Sequence, residues 1–261
     1  MSDQLSISLP GSRYLVLGLG LTGQAAARWL AQQGCELVLV DTRQDIDLDV
    51  LRADLSVFET VAVQWHVGTE LSHDWLDAID VVVVSPGLSP HEAPIDGFLQ
   101  AAEVAGKPVI GDVELFAQAL ASLKDSHQYE PTVLAVTGTN GKTTVTALTR
   151  QMAQACGWHA VVAGNIAPPV LQALSDATQA PSDQWPAVWV LELSSFQLHY
   201  TTTLKPRAAV VLNISQDHLD WHASFEEYVA DKARIYMNAD ICVVNRNDPA
   251  VLGMVSNVGD Q

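Results

Sequence analysis

The stretch VLAVTGTNGKTTVTAL, Val133 to Leu148, joins an apolar β-type run to a helix-period segment through a glycine turn bearing a lysine and two threonines. In the common phosphate-binding loop, four residues separate an outer glycine from Gly-Lys-[Ser/Thr]. Here only Thr139 and Asn140 lie between Gly138 and Gly141, and Val136 stands at the usual outer position. After the turn Val145, Leu148, Met152 and Ala155 recur at helical spacing, and Gly157 stands where a glycine would end that helix. Strand, loop and helix in this order predict a nucleotide-binding turn of shortened form. Backbone N–H groups of the turn would face phosphate oxygens, Lys142 would reach the terminal phosphates, and the Thr143 hydroxyl would suit Mg²⁺. The competing reading is a plain glycine turn with a surface lysine.

The same alternation extends along the whole chain. Apolar runs at 14–18, 36–40, 61–65, 81–84 and 108–110 read as strands of a first unit; those at 132–137, 160–163, 187–192, 207–213 and 241–245 read as strands of a second. Helix-period segments between them predict α/β architecture with parallel sheets, and runs of Val and Leu predict strands covered on both faces. Residues 111–121 read as a helix, whereas 122–132 are polar and contain a proline. The expected division is therefore 1–125, a Rossmann-like nucleotide-binding domain, and 126–261, a P-loop ATPase-like domain.

Composition narrows the partners. Thirteen Lys+Arg against 30 Asp+Glu give a net charge of -17, so the basic clusters that a nucleic-acid binder needs are missing. An anionic substrate must then be held by local positive features against a repulsive overall field. Cys35, Cys156 and Cys242 fit neither a disulfide framework nor a zinc spacing and suggest reduced, mostly buried thiols. MSDQLSISLPGSR (1–13) has no charged leader followed by an apolar stretch, and no apolar run nears the roughly 18 residues of a membrane helix. The expectation is a soluble cytoplasmic protein without membrane or nucleic-acid partners.

Other segments carry chemistry of their own. GLGLTG places Gly18, Gly20 and Gly23 in G-x-G-x-x-G order after the first strand, with Asp41 at the end of the second. That pattern suits a dinucleotide whose ribose meets Asp41, any other nucleoside diphosphate at a helix start, or purely structural glycines. Glu192 ends an apolar strand, as a magnesium-site carboxylate would, and Asn213 ends another. His218 and His222 have i, i+4 spacing, but without the glutamate of a zinc helix we favour His218 as a single functional group. Ser224 and Glu227 form a capping box, starting a helix near Phe225 on which apolar residues flank Lys232. Burial there would favour the neutral amine, a nucleophile or a carbamate former; the alternative is a stem lying on apolar surface with its head in water.

Taken in order, LGLGLTG (17–23), DTR (41–43), SPGLS (85–89), GDVELF (111–116), GTNGKTTV (138–145), GNIAPPVL (164–171), LELSSFQL (191–198) and NISQDHLD (213–220) resemble the ATP-dependent Mur ligases of peptidoglycan synthesis. The shortened loop resembles that family's phosphate loop, and LELSSFQL with GLGLTG favours its D-glutamate-adding branch. The resemblance implies that the first glycine loop holds UDP-N-acetylmuramoyl-L-alanine. Gly20, Leu21, Thr22 and Gly23 would lie near the diphosphate, Asp41, Thr42 and Arg43 near the uridine, and Gly87 close by. It implies ATP on Gly138, Thr139, Asn140, Gly141, Lys142, Thr143 and Thr144, with Thr143 and Glu192 on one Mg²⁺. His218 and a carbamylated Lys232 would hold another, and Asn165 and Ser194 would line the substrate channel. Lys142, Glu192, His218 and Lys232 are then the expected catalytic set, forming an acyl phosphate that the amine of D-glutamate attacks.

Members of that family continue through the rest of the central domain and into a third domain beyond the point where this chain stops, so the resemblance implies that 126–261 is an incomplete central domain; full-length members are expected to act as monomers. Three other functions stand beside this one: an NAD(P) oxidoreductase built on the first loop, a UDP-sugar- and ATP-binding fragment without turnover, and a sister ligase adding a different amino acid.

Overall fold

A computed structural model describes residues 7–256. The first unit runs β1 (Arg13–Leu17), α1 (Leu21–Gln32), β2 (Glu36–Asp41), α2 (Asp49–Ser56), β3 (Val63–Val67), β4 (Val81–Val84), α3 (Ile95–Val104) and β5 (Val109–Ile110). Helix α4 (Asp112–His127) leads to β6 (Thr132–Thr137), α5 (Lys142–Ala155), β7 (Ala160–Gly164), α6 (Val170–Thr178), β8 (Val188–Glu192) and α7 (Ser195–His199). The second unit continues with β9 (Ala208–Val211), α8 (Phe225–Ala233), β10 (Cys242–Val244) and α9 (Pro249–Ser256). The chain is thus α/β with two five-stranded sheets, ordered β3-β2-β1-β4-β5 and β10-β9-β6-β8-β7, and every pairing is parallel.

Side-chain alternation explains why such apolar runs form strands. Tyr14 and Val16 of β1 and Leu37 and Leu39 of β2 enter one core cluster, while Leu15, Leu17, Val38 and Val40 enter another on the opposite face. Each such aliphatic side chain contributes roughly 1.5–3 kcal/mol relative to exposure. The first cluster continues across the seam between units, through Phe116 and Leu123 of α4 to Leu171, Leu174 and Trp189. There Ser175 Oγ donates to Gln32 Oε1 at 2.7 Å.

Four expectations need adjustment. The third strand lies at 63–67 because Val61 N–H is used in a turn to Phe58 O (2.9 Å). Residues 122–127, expected as linker, continue α4; Leu123 is fully buried, and the helix ends at left-handed Gln128 (φ 55°), whose N–H reaches Lys124 O. The expected division after residue 125 therefore falls in the last turn of a helix. Of the cysteines only Cys35 is buried; Cys156 is exposed and Cys242 half-buried.

The last adjustment concerns α5. Leu148 and Met152 are 50% and 61% exposed, and the residue this helix buries is Thr146. The turn at Gly141 fixes where α5 begins, hence its rotation. Small residues, Thr146 and half-buried Ala153, face the sheet while the apolar stripe faces out.

Candidate nucleotide and substrate site

In an open parallel sheet, ligands bind beyond the carboxyl ends of the strands, where the strand order reverses. In the first sheet that point lies between β1 and β4, and a cleft of about 360 Å³ opens there. Gly20, Leu21, Thr22, Asp41, Thr42, Arg43 and Gly87 all line it. Gly23 does not: a Cβ there would stand 1.9 Å from Gly18 O, so this glycine serves close strand–helix contact. Asp41 is buried and accepts hydrogen bonds from Leu19 N (2.7 Å) and from Arg43 N, Nε and Nη2 (2.9, 2.9 and 2.7 Å). Burial pushes its carboxyl up, but these hydrogen bonds outweigh burial and hold it below the ordinary value. Asp41 therefore shapes the loop and orients Arg43, and those bonds occupy it where a dinucleotide ribose would otherwise bind.

The second site is built around β6, which has β8 and β9 as neighbours, so the loops after these strands meet. Gly138 (φ 149°) and Gly141 (φ 84°) take backbone conformations that side-chain-bearing residues avoid, and a Cβ at Gly138 would crowd Leu212 at 3.0 Å. Asn213 clamps the turn from both sides: its Oδ1 accepts from Asn140 N (2.9 Å) and its Nδ2 donates to Asn140 O (3.0 Å). Thr139 N–H donates to Asn213 O at 2.9 Å, and Thr139 Oγ1 bonds Tyr228 Oη at 2.8 Å. The amides of Thr139 and Asn140, expected to face phosphate, are thus committed to the protein. The anion-binding capacity lies one step on, where α5 starts at Gly141 with no side-chain cap among the described residues and no acid in its first turn. Orphan N–H groups and the positive end of the helix dipole meet there. Lys142 folds back onto Gly138 O and Thr139 O, both at 3.0 Å, while Thr143 and Thr144 are exposed beside it.

Glu192 pairs in register with Val136 on one side and Gly164 on the other, which sets it beside the turn. It is only 2% exposed; Oε1 accepts from Asn165 Nδ2 (3.0 Å), while Oε2 is buried with no hydrogen-bond partner among the described residues. A buried carboxylate oxygen left bare is costly, and a hard cation would relieve it, so this donor fits Mg²⁺. The close approach is permitted by Gly164, where a Cβ would lie 2.2 Å from Glu192 O. Ser194 caps α7, its Oγ accepting from Gln197 N at 3.2 Å.

Lys232 is 2% exposed and lies under the turn, its Nζ 3.1 Å from Gly138 O and 4.8 Å from the centre of the Tyr228 ring. Burial first, then the charge of Lys142, bring its amine down to about 7. The two histidines part company. His218 is exposed on a left-handed backbone (φ 54°) with its ring edge-on to Phe196, whereas His222 is buried with Nε2 2.9 Å from Ser195 Oγ. Their i, i+4 spacing is not a shared site, because the segment is a turn and not a helix.

Sequence reasoning missed the supports: the Asn213 clamp, the Thr139–Tyr228 contact, and the seam in which Ser89 Oγ donates to Trp221 O (2.7 Å) and Trp221 Nε1 to Pro86 O (3.0 Å). This seam ties the Gly87 loop of the first cleft to the His218 loop of the second. The aromatic in DHLDWH was its one visible trace.

Two adjacent nucleotide-type sites on two parallel sheets define a class, and comparison with known proteins agrees. Residues 12–111 match the "Mur ligase MurD-like, N-terminal domain" and residues 136–259 the "Mur ligase middle domain". The chain belongs to the Mur ligase family. Its relatives include the UDP-N-acetylmuramoylalanine–D-glutamate ligases of Bordetella parapertussis, 52% identical over 94% of this chain and 48% of that protein, and Bordetella avium, 49% identical over 99% and 50%. The chain spans about half the length of the curated relatives it matches. Among solved structures, a murein peptide ligase from Psychrobacter arcticus aligns over 95% of this chain and 52% of its own, with 15% identity and a TM-score of 0.49. Among the described residues, no helix is long and apolar enough to cross a membrane.

Proposed function

We propose that this chain carries the UDP-substrate and ATP sites of a cytoplasmic, monomeric ligase that joins D-glutamate to UDP-N-acetylmuramoyl-L-alanine. The observation that carries this reading is the bare Glu192 Oε2 beside the uncapped start of α5, facing a turn with a buried, low-pKa lysine beneath it. Two relatives near 50% identity bear that ligase name.

The first cleft holds the UDP moiety on the α1 start, with Thr42 and Arg43 at the nucleoside end and Gly87 opposite. Gly138 to Thr144 hold ATP: the first amides of α5 receive phosphate oxygens, and Lys142 swings from its loop carbonyls to the terminal phosphates. Thr143 and Glu192 would hold one Mg²⁺, and His218 with Lys232 as a carbamate a second. Bound there, the ions would supply positive charge between two anions, the alanyl carboxylate and the γ-phosphate. This chain's residues orient the rest, with Asn165 fixing the Glu192 carboxylate and Ser194 facing the channel. Attack of the alanyl carboxylate on the γ-phosphate gives an acyl phosphate and ADP; the amine of D-glutamate displaces phosphate to form the amide.

Lys142→Ala is expected to abolish ATP-dependent phosphate release while UDP-substrate affinity, read by calorimetry, stays within about twofold; charge stabilisation of this kind supplies about 10²–10³ in rate. Loss of both together would contradict two separate sites.

A further inference from the structure

A second cluster of metal-type donors lies where α7 and α8 meet the loop after β4. One ligand atom each of His199, Glu227 and Asp231 lies within 4.8 Å of the others. His199 Nδ1 is 2.9 Å from Asp231 Oδ2. His222 Nδ1 is 3.2 Å from the same oxygen, so Asp231 is flanked by two imidazoles. We propose that His199, Glu227 and Asp231 form a binding site for a zinc-type divalent ion at the seam between the two units.

The chemistry of the donors sets the class of ion. An imidazole nitrogen with two carboxylates suits zinc and its neighbours, whereas magnesium prefers oxygen donors and water. Two carboxylates in one small space repel, and a dication between them removes that repulsion. Supporting contacts of the kind that orient metal ligands are already present. Ser195 Oγ holds His222 Nε2 at 2.9 Å, which sets His222 Nδ1 against Asp231 Oδ2 as an outer contact. His91 Nε2 lies 2.9 Å from both Glu227 oxygens, and Ala223 N donates to Glu227 Oε2 at 2.6 Å. Glu227 and Asp231 are four apart on α8 and so share one helix face, while His91 comes from the first unit. His199 and Glu227 are each 25% exposed in their side chains, so an ion has a way in. A bound ion would fasten α7 to α8 and, through His91, to the first unit.

The test is titration of tag-free, metal-stripped protein with Zn²⁺ against a chromophoric chelator, in millimolar Mg²⁺ to fill sites at the nucleotide turn. One equivalent is expected. His199→Ala and Glu227→Gln should each weaken binding by at least the roughly 10–100-fold that loss of outer contacts alone costs. His218→Ala, at the nucleotide turn, should leave it unchanged. X-ray absorption of the zinc-loaded unmodified protein should give only nitrogen and oxygen neighbours, one of them an imidazole; this readout stands even if a variant fails to fold. Sub-stoichiometric uptake, wild-type affinity in folded His199→Ala, loss in His218→Ala, or sulfur scattering from exposed Cys156 each overturn the proposal.

Discussion

Lys232 is where sequence and structure meet most closely at the scale of one residue. Its neighbours Tyr228 and Tyr236 are fully buried, and its amine rests against Gly138 O and Thr137 Oγ1 with no carboxylate in hydrogen-bonding contact among the described residues. Desolvation favours the neutral amine, which is the form that reacts with CO₂. In the proposed ligase, Lys232→Ala should lower ATP-dependent phosphate release by about a hundredfold or more, the scale of losing one charge-stabilising group. Short-chain carboxylic acids should restore part of that rate by standing in for the carbamate. An assay with no recovery at any acid concentration would remove the carbamate from the mechanism.

Among the elements, α4 joins the units and carries two buried acids with different fates. Glu114 accepts from Thr202 N (2.7 Å), Thr203 N (2.9 Å) and Thr203 Oγ1 (2.6 Å), which overcome its burial and hold its pKa below the ordinary value. Asp112 is fully enclosed; burial pushes its carboxyl up to about 6, against weaker hydrogen bonding from Gln197 Nε2 at 3.0 Å. Between the unfolded value near 3.8 and the folded value near 6, the native protein holds a proton that the unfolded chain has lost. This contribution is complete below about pH 3.8 and is lost as pH rises through about 6, at most about 3 kcal/mol. Asp112→Asn should flatten that fall in denaturant midpoint between pH 4 and 7 while keeping the Gln197 contact. An unchanged slope would show that Asp112 does not titrate there.

Across the whole molecule, the seam makes two sheets into one machine. Trp221 stacks on Phe196 (4.7 Å between ring centres) and donates to Pro86 O, so a residue of the second unit holds the Pro86–Gly87 wall of the first cleft. Trp221→Phe keeps the stacking and removes the donor, which should lower Tm by about 2–4 °C, the usual consequence of roughly 1 kcal/mol in a chain of this size. Affinity for a UDP nucleotide should fall roughly fivefold, the lower end of ordinary coupling between sites, although the residue lies outside that cleft. Calorimetry reporting wild-type UDP affinity would mean that the seam is scaffold alone.

All ten strands of the described residues, the two-sheet architecture and the glycine turn at 138–141 were legible in the sequence, because strand periodicity and glycine placement are local properties. The boundary of α4 was less so: polar residues on an exposed helix face read like a linker until Leu123 is seen in the core. The buried face of α5 was not legible, since rotation about its axis depends on a turn held by Asn213, 73 residues away. The same holds for the commitment of the Thr139 and Asn140 amides, for the bare oxygen of Glu192, and for the gathering of His199, His222, Glu227 and Asp231. Such features arise when distant segments compete for the same hydrogen bonds and the same space. The sequence by itself determined which residues could do chemistry; only the tertiary structure decided which of them were left unsatisfied and free to do it.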